Sequence, residues 1–85
     1  MPRTHTIGPV ELWIYFNDTQ KHRRPHFHAV TVDEQIVPAI PALAFLAGSL
    51  EGKAMRRVLA WAGANTDRLV AEWNRCNPQM PIGQI

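Results

Sequence analysis

Cysteine is almost absent: Cys76 stands alone among 85 residues, so no internal disulfide can staple the chain and no cysteine pair can hold a metal. Long apolar runs are also missing. The longest, Ile36 to Ala47, is broken by Pro38 and Pro41 and falls far short of the roughly 20 residues needed to cross a bilayer, which excludes a membrane-spanning helix. Residues Met1 to Gly8 lack the apolar stretch of a signal peptide, so we expect a cytoplasmic protein. There is no internal repeat, no low-complexity tract and no dominant charge, since nine Lys and Arg against seven Asp and Glu leave only +2. What remains is ordinary globular material, 46% hydrophobic and 19% charged. That length suits one domain over residues 1–85 and excludes a two-domain enzyme with a large cleft.

Along the chain, Val10, Leu12, Ile14 and Phe16 alternate with Glu11, Trp13 and Tyr15, which predicts a first strand over 10–16 with one buried row. The polar stretch from Asn17 to Pro25 reads as an exposed loop, and His26 to Val32 as a second strand that turns at Asp33, Glu34 and Gln35. The two prolines make Ile36 to Pro41 an edge strand or an irregular extended segment, with a further strand from Phe45 to Gly48. Helical spacing takes over at Met55, Val58, Leu59 and Ala62, predicting a helix over 52–63. Asn65 or Thr66 is placed to cap a second helix striped with Leu69, Val70, Trp73 and Cys76, which Pro78 stops. Strands followed by helices predict an α+β fold: a small antiparallel sheet of three to four strands with a helical hairpin packed on one face.

The unusual segment is Lys21-His22-Arg23-Arg24-Pro25-His26-Phe27-His28, which holds three cations, three of the four histidines and no acid. Arginine presents a planar fork to phosphate, and imidazole exchanges protons near neutral pH, so this composition suits a phosphodiester ligand. Lys21, His22, Arg23 and Arg24 are the candidate nucleic-acid contacts, and His26 and His28 the candidate acid and base. The bland alternative is a solvated basic loop. On a strand, His26 and His28 project from one face with Cα atoms about 6.6–7 Å apart, leaving Phe27 to be buried on the other. Such a pair can also converge on a metal with His22 or Asp18 as a third ligand, but so few obvious ligands lead us to expect no metal and no cofactor. Trp61 and Trp73 read as core, Arg56 and Arg57 as helix solvation, and Trp13 with Tyr15 as the opposite face of the first strand, able to pack or to stack on bases.

The order Tyr15-Phe16-Asn17-Asp18, Pro25-His26-Phe27-His28-Ala29, Gly48-x-Leu50, Ala54-x-Arg56-x-Val58-x-x-Trp61, Leu69 and Trp73 resembles the small bacterial domain-of-unknown-function family 4160. The resemblance runs from about Ile14 to Trp73. It departs at Thr19-Gln20-Lys21, which looks inserted, and at Arg24, Glu51, Asn65 and Arg68, where members often carry proline, proline, histidine and glutamate. If that histidine and glutamate serve catalysis in relatives, this chain lacks them. Members often sit beside another small gene in toxin–antitoxin-like pairs, so the resemblance implies a nucleic-acid-directed toxin, acting on or binding RNA with a cognate antitoxin-like protein as partner, or the regulatory partner of such a toxin. Two other readings stand beside it. One is a non-enzymatic binding module, with the uncharged Ile36 to Ala47 segment forming a homodimer or docking a protein; the other is a small metal-binding domain using the His-x-His pair.

Overall fold

The computed structural model describes residues 3–16, 18, 19, 23–40 and 43–82. Five strands, β1 (Arg3–Ile7), β2 (Val10–Trp13), β3 (His28–Val30), β4 (Gln35–Pro38) and β5 (Phe45–Ser49), precede two helices, α1 (Gly52–Ala64) and α2 (Thr66–Cys76). Each strand pairs antiparallel with its neighbour in sequence, giving a meander in the order β1-β2-β3-β4-β5. The α+β class is as the sequence indicates, but the sheet has five strands, not three to four.

The additional strand is β1. It joins β2 through the two-residue turn Gly8-Pro9, with Ile7 opposite Val10 and Gly8 at φ 56°, a conformation that glycine adopts without penalty. β2 is shorter than its alternation predicts. Val10, Leu12 and Ile14 are buried as expected, but Phe16 is exposed, because the chain has already left the ladder and the Tyr15 carbonyl is taken by a side chain from the end of α2. β3 is likewise confined to three residues, with His26 joined to Ala39 by an isolated bridge and Val32 standing 99% exposed in the turn. Thr31 closes that turn, its backbone N–H donating to the Glu34 carbonyl at 2.8 Å and its Oγ1 accepting from the Glu34 N–H at 3.0 Å.

Proline did not push β4 to the edge. It lies between β3 and β5, and Pro38 is accommodated as its last residue, beside a register shift between Val37 and Pro38. Its carbonyl still accepts from the Phe27 N–H at 3.1 Å, and Ile40 donates to the Pro25 carbonyl at 2.8 Å, so pairing continues irregularly past the strand ends. Of the uncharged segment from Ile36 to Ala47, residues Ile36 to Ile40 are buried within the chain itself, whereas Ala44 and Phe45 are exposed.

The helices begin and end close to where apolar spacing places them. Glu51 caps α1 by accepting from the Ala54 N–H. Asn65 occupies the corresponding position before α2 without capping it through its side chain: its Nδ2 donates back to the Trp61 carbonyl, and the Thr66 hydroxyl donates to that of Ala62. Val58 and Ala62 of α1 and Leu69, Val70, Trp73 and Cys76 of α2 join one core with Val10, Leu12, Ile14, Phe27, Ala29 and Ile36 of the sheet side. Phe27 is buried in that core, as expected. Trp61 is only half-buried; the His5 ring stacks on it at 4.5 Å and the Arg68 guanidinium lies 5.6 Å from its centre.

Two substitutions test this packing. Phe27→Ala should cost roughly 3–5 kcal/mol in urea unfolding, as the loss of a buried phenyl ring does. Gly48→Ala should be comparably damaging despite adding one methyl, since Gly48 sits at φ 80° and a Cβ would fall 2.1 Å from the Gln35 carbonyl oxygen. Wild-type stability in that variant would show that β4 and β5 are not paired in this register.

Candidate metal centre

The chain leaves β2 after Trp13 and returns to the sheet at His28, and the intervening residues are tied down from the far end of the molecule. Asn77, directly after α2 and fully buried, accepts from the Asp18 backbone N–H through Oδ1 at 2.6 Å and donates through Nδ2 to the Tyr15 carbonyl at 2.9 Å. Gln79 Nε2 donates to the same Asn77 oxygen at 3.0 Å. These bonds tie Tyr15 and Asp18 to the end of α2, where the Asp18 carboxylate meets the two histidines.

Both imidazoles then meet one atom. His26 Nε2 and His28 Nε2 each lie 2.8 Å from Asp18 Oδ2. His26 is 0% exposed, its ring 5.2 Å from that of Trp73, while the His28 and Asp18 side chains are 14% and 24% exposed. The cluster therefore has a closed wall made by His26 and an open side at Asp18.

Protonation follows from the partners. His26 Nδ1 lies 2.6 Å from the Arg24 carbonyl oxygen, which can only accept, so Nδ1 carries the hydrogen. In a neutral imidazole Nε2 is then a bare lone pair, and it points at a carboxylate oxygen. Burial alone would push the Asp18 carboxyl up, but the hydrogen bond from His28 and the charge and hydrogen bond of His26, with a smaller contribution from the His28 charge, outweigh it and hold the group below its ordinary range. Asp18 is thus an anion, and the anion and His26 Nε2 need a positive centre between them. A hydrogen on Nε2 or a metal ion in its place supplies that centre.

The donor set suits an ion. Asp18, His26 and His28 offer one oxygen and two nitrogens, all within 4.8 Å of one another. Donors about 2.0–2.2 Å from a tetrahedral ion stand roughly 3.3–3.6 Å apart, so the present 2.8 Å pairs need to open by about 0.5–0.8 Å. His26 Nδ1–H on a backbone carbonyl is the outer hydrogen bond that orients metal-ligating histidines. His28 Nδ1, by contrast, is buried without a hydrogen-bond partner among the described residues, where Nε2 makes the ring's one polar contact. Cys76 takes no part: burial, the main influence, pushes its thiol up against the opposing effect of Arg75.

Of the residues singled out in the sequence, His26, His28 and Asp18 come together, and Arg23 and Arg24 are exposed immediately before them. Lys21 and His22 lie outside the described residues. Trp13 and Tyr15 form a stacked pair with ring centres 6.1 Å apart, and the Tyr15 ring meets the edge of His28 at 4.7 Å. Desolvation, reinforced by Asp18 and Glu11, raises the Tyr15 phenol above its usual range, so it is protonated at neutral pH. Asn77 escaped the sequence reading, its signal being no more than an asparagine before Pro78 at a helix end.

Fold and site together define an α+β domain with a two-imidazole, one-carboxylate centre where a loop, a strand and a helix end meet. The chain belongs to the family described as Domain of unknown function (DUF4160), whose model matches residues 11–74. That match includes Asp18, His26 and His28, whereas Asn77 lies beyond it. No curated protein and no solved structure matches the chain significantly.

Asn77→Ala should leave the Asp18 N–H and the Tyr15 carbonyl without protein partners and lower stability by about 1–3 kcal/mol, the usual cost of stranding a buried polar group. Urea unfolding of the variant measures this; an unchanged midpoint would show that the clamp contributes nothing.

Proposed function

We propose that this domain binds one divalent first-row transition ion through Asp18, His26 Nε2 and His28 Nε2. The observation that carries the reading is the approach of two imidazole nitrogens to a single carboxylate oxygen while His26 Nδ1–H is committed to a backbone carbonyl. Two nitrogens and one oxygen without sulfur favour Zn2+, Cu2+, Ni2+ or Fe2+ over Mg2+ and Ca2+, which prefer oxygen throughout. Three protein donors leave at least one coordination position free, and the exposure gradient from His26 to Asp18 puts it on the solvent side. There the ion can hold water or an external ligand.

This reading replaces the metal-free expectation and gives the histidines different tasks. His26, buried with both ring nitrogens engaged, is better suited to anchoring the ion than to passing a proton to a substrate. The expectation of a nucleic-acid ligand attaches to the same place, because Arg23 and Arg24 are exposed and make no ion pair among the described residues.

Titration with Zn2+, and with Co2+ as a spectroscopic stand-in, should give one ion per chain, with four- or five-coordinate d–d bands for Co2+. Asp18→Asn and His28→Gln should each weaken binding by at least about tenfold. Zn2+ at a hundredfold its Kd should raise wild-type stability by about 2.7 kcal/mol. A folded wild-type protein that binds no ion, or a double variant that binds as tightly as wild type, would sink the proposal.

A further inference from the structure

We propose that the open side of the metal centre takes a terminal phosphate, the monoester dianion of a nucleotide or of a 5′-phosphorylated single strand, with Arg23 and Arg24 on its oxygens. This rests on the metal reading and specifies the ligand of that site.

Charge is the first argument. A divalent ion with one carboxylate and two neutral imidazoles leaves a single positive charge, two guanidinium groups without acidic partners among the described residues add two, and the Glu11 carboxylate that accepts from Trp13 Nε1 takes one back, for a local surplus of +2. A dianion fits that surplus better than the single charge of a phosphodiester. Geometry is the second. The Arg24 carbonyl is bonded to His26 Nδ1, which places the Arg24 Cα no more than about 7 Å from His26 Nε2, and an extended arginine side chain spans a similar distance. Its guanidinium can therefore reach a ligand held on the ion. A monoester has three terminal oxygens, enough for one on the metal and two in an arginine fork. The third argument is the row of rings that leads to the centre, Trp13 stacked on Tyr15 and Tyr15 against His28. Trp13 pairs with His28 across β2 and β3, one position out of phase with the buried Leu12 and Ala29, so these rings stand on the other side of the two strands from those core residues. Half-buried aromatic rings beside a phosphate subsite suit the flat base of a nucleotide.

The test is isothermal titration of the Zn2+-loaded protein with adenosine 5′-monophosphate, ribose 5-phosphate, inorganic phosphate, and one short oligonucleotide with and without a 5′-phosphate. The expected order puts the monophosphate and the 5′-phosphorylated strand above ribose 5-phosphate and inorganic phosphate, with the unphosphorylated strand at least about tenfold weaker than its phosphorylated form. Arg23→Ala with Arg24→Ala should lower monophosphate affinity by about tenfold or more while leaving the Co2+ spectrum and metal stoichiometry unchanged. Equal affinity for the two strands would overturn the terminal-phosphate assignment. Binding that persists in excess chelator would also overturn it, marking a basic patch independent of the ion. Loss of phosphate binding with metal binding intact would overturn this inference alone, whereas absence of the Co2+ bands would overturn the metal reading beneath it.

Discussion

The side chain of Asn77 is the point on which the arrangement of the site depends. It stands where α2 ends, has no exposure to solvent, and spends its carbonyl and amide on Asp18 and Tyr15, residues 59 and 62 positions away. Buried amides are costly to leave unmet, so this pairing holds the loop in one place. The loop in turn sets where the carboxylate sits between His26 and His28. Trp73, one turn earlier on α2, packs against His26 and sends its indole N–H to the Met80 carbonyl at 2.7 Å, so the same helix end positions one imidazole and the acid facing it.

The electrostatics of the centre follow from unequal burial. His26 is sealed behind Trp73 with Nδ1 bonded to a carbonyl, whereas Asp18 retains contact with water. A carboxylate in that position keeps its charge because histidine donors outweigh desolvation. The result is a negative atom enclosed on the protein side by nitrogen and open on the other. Arg23 and Arg24, both exposed, precede His26 closely in sequence, and the Arg24 carbonyl is bonded to its Nδ1.

Much of this was legible in advance, for identifiable reasons. The helices declared themselves through Val58, Ala62, Leu69 and Trp73 at helical spacing, and burial confirms each of them. Phe27 is buried as its size predicts, but alternation does not extend to it: β3 begins at His28, and His26 is as buried as Phe27. The failures lie where tertiary contacts override local pattern. Phe16 continues an apolar alternation but is exposed, since the backbone at Tyr15 answers to Asn77 and not to a neighbouring strand. Pro38 argued for an edge, yet a register shift and its position as the last residue of β4 keep it inside the sheet. β1 was overlooked although Gly8-Pro9 is a turn signal followed by a strong strand. For the site, the histidine pair was visible and Asp18 was a named possibility, but nothing local ties Asn77 to either.

The meander has a consequence for how the domain assembles. Every strand pairs with its neighbour in sequence, and apart from the longer β2–β3 connection the loops are short, with an entropic cost that grows only slowly with length. The bonds from Asn77 to Tyr15 and Asp18 are different, because they form only when most of the chain has been drawn into a ring. A truncated or partly folded chain can thus carry native strand pairing and still lack the carboxylate at its station between the two histidines. The carboxylate's place in the centre therefore depends on the docking of the last helix.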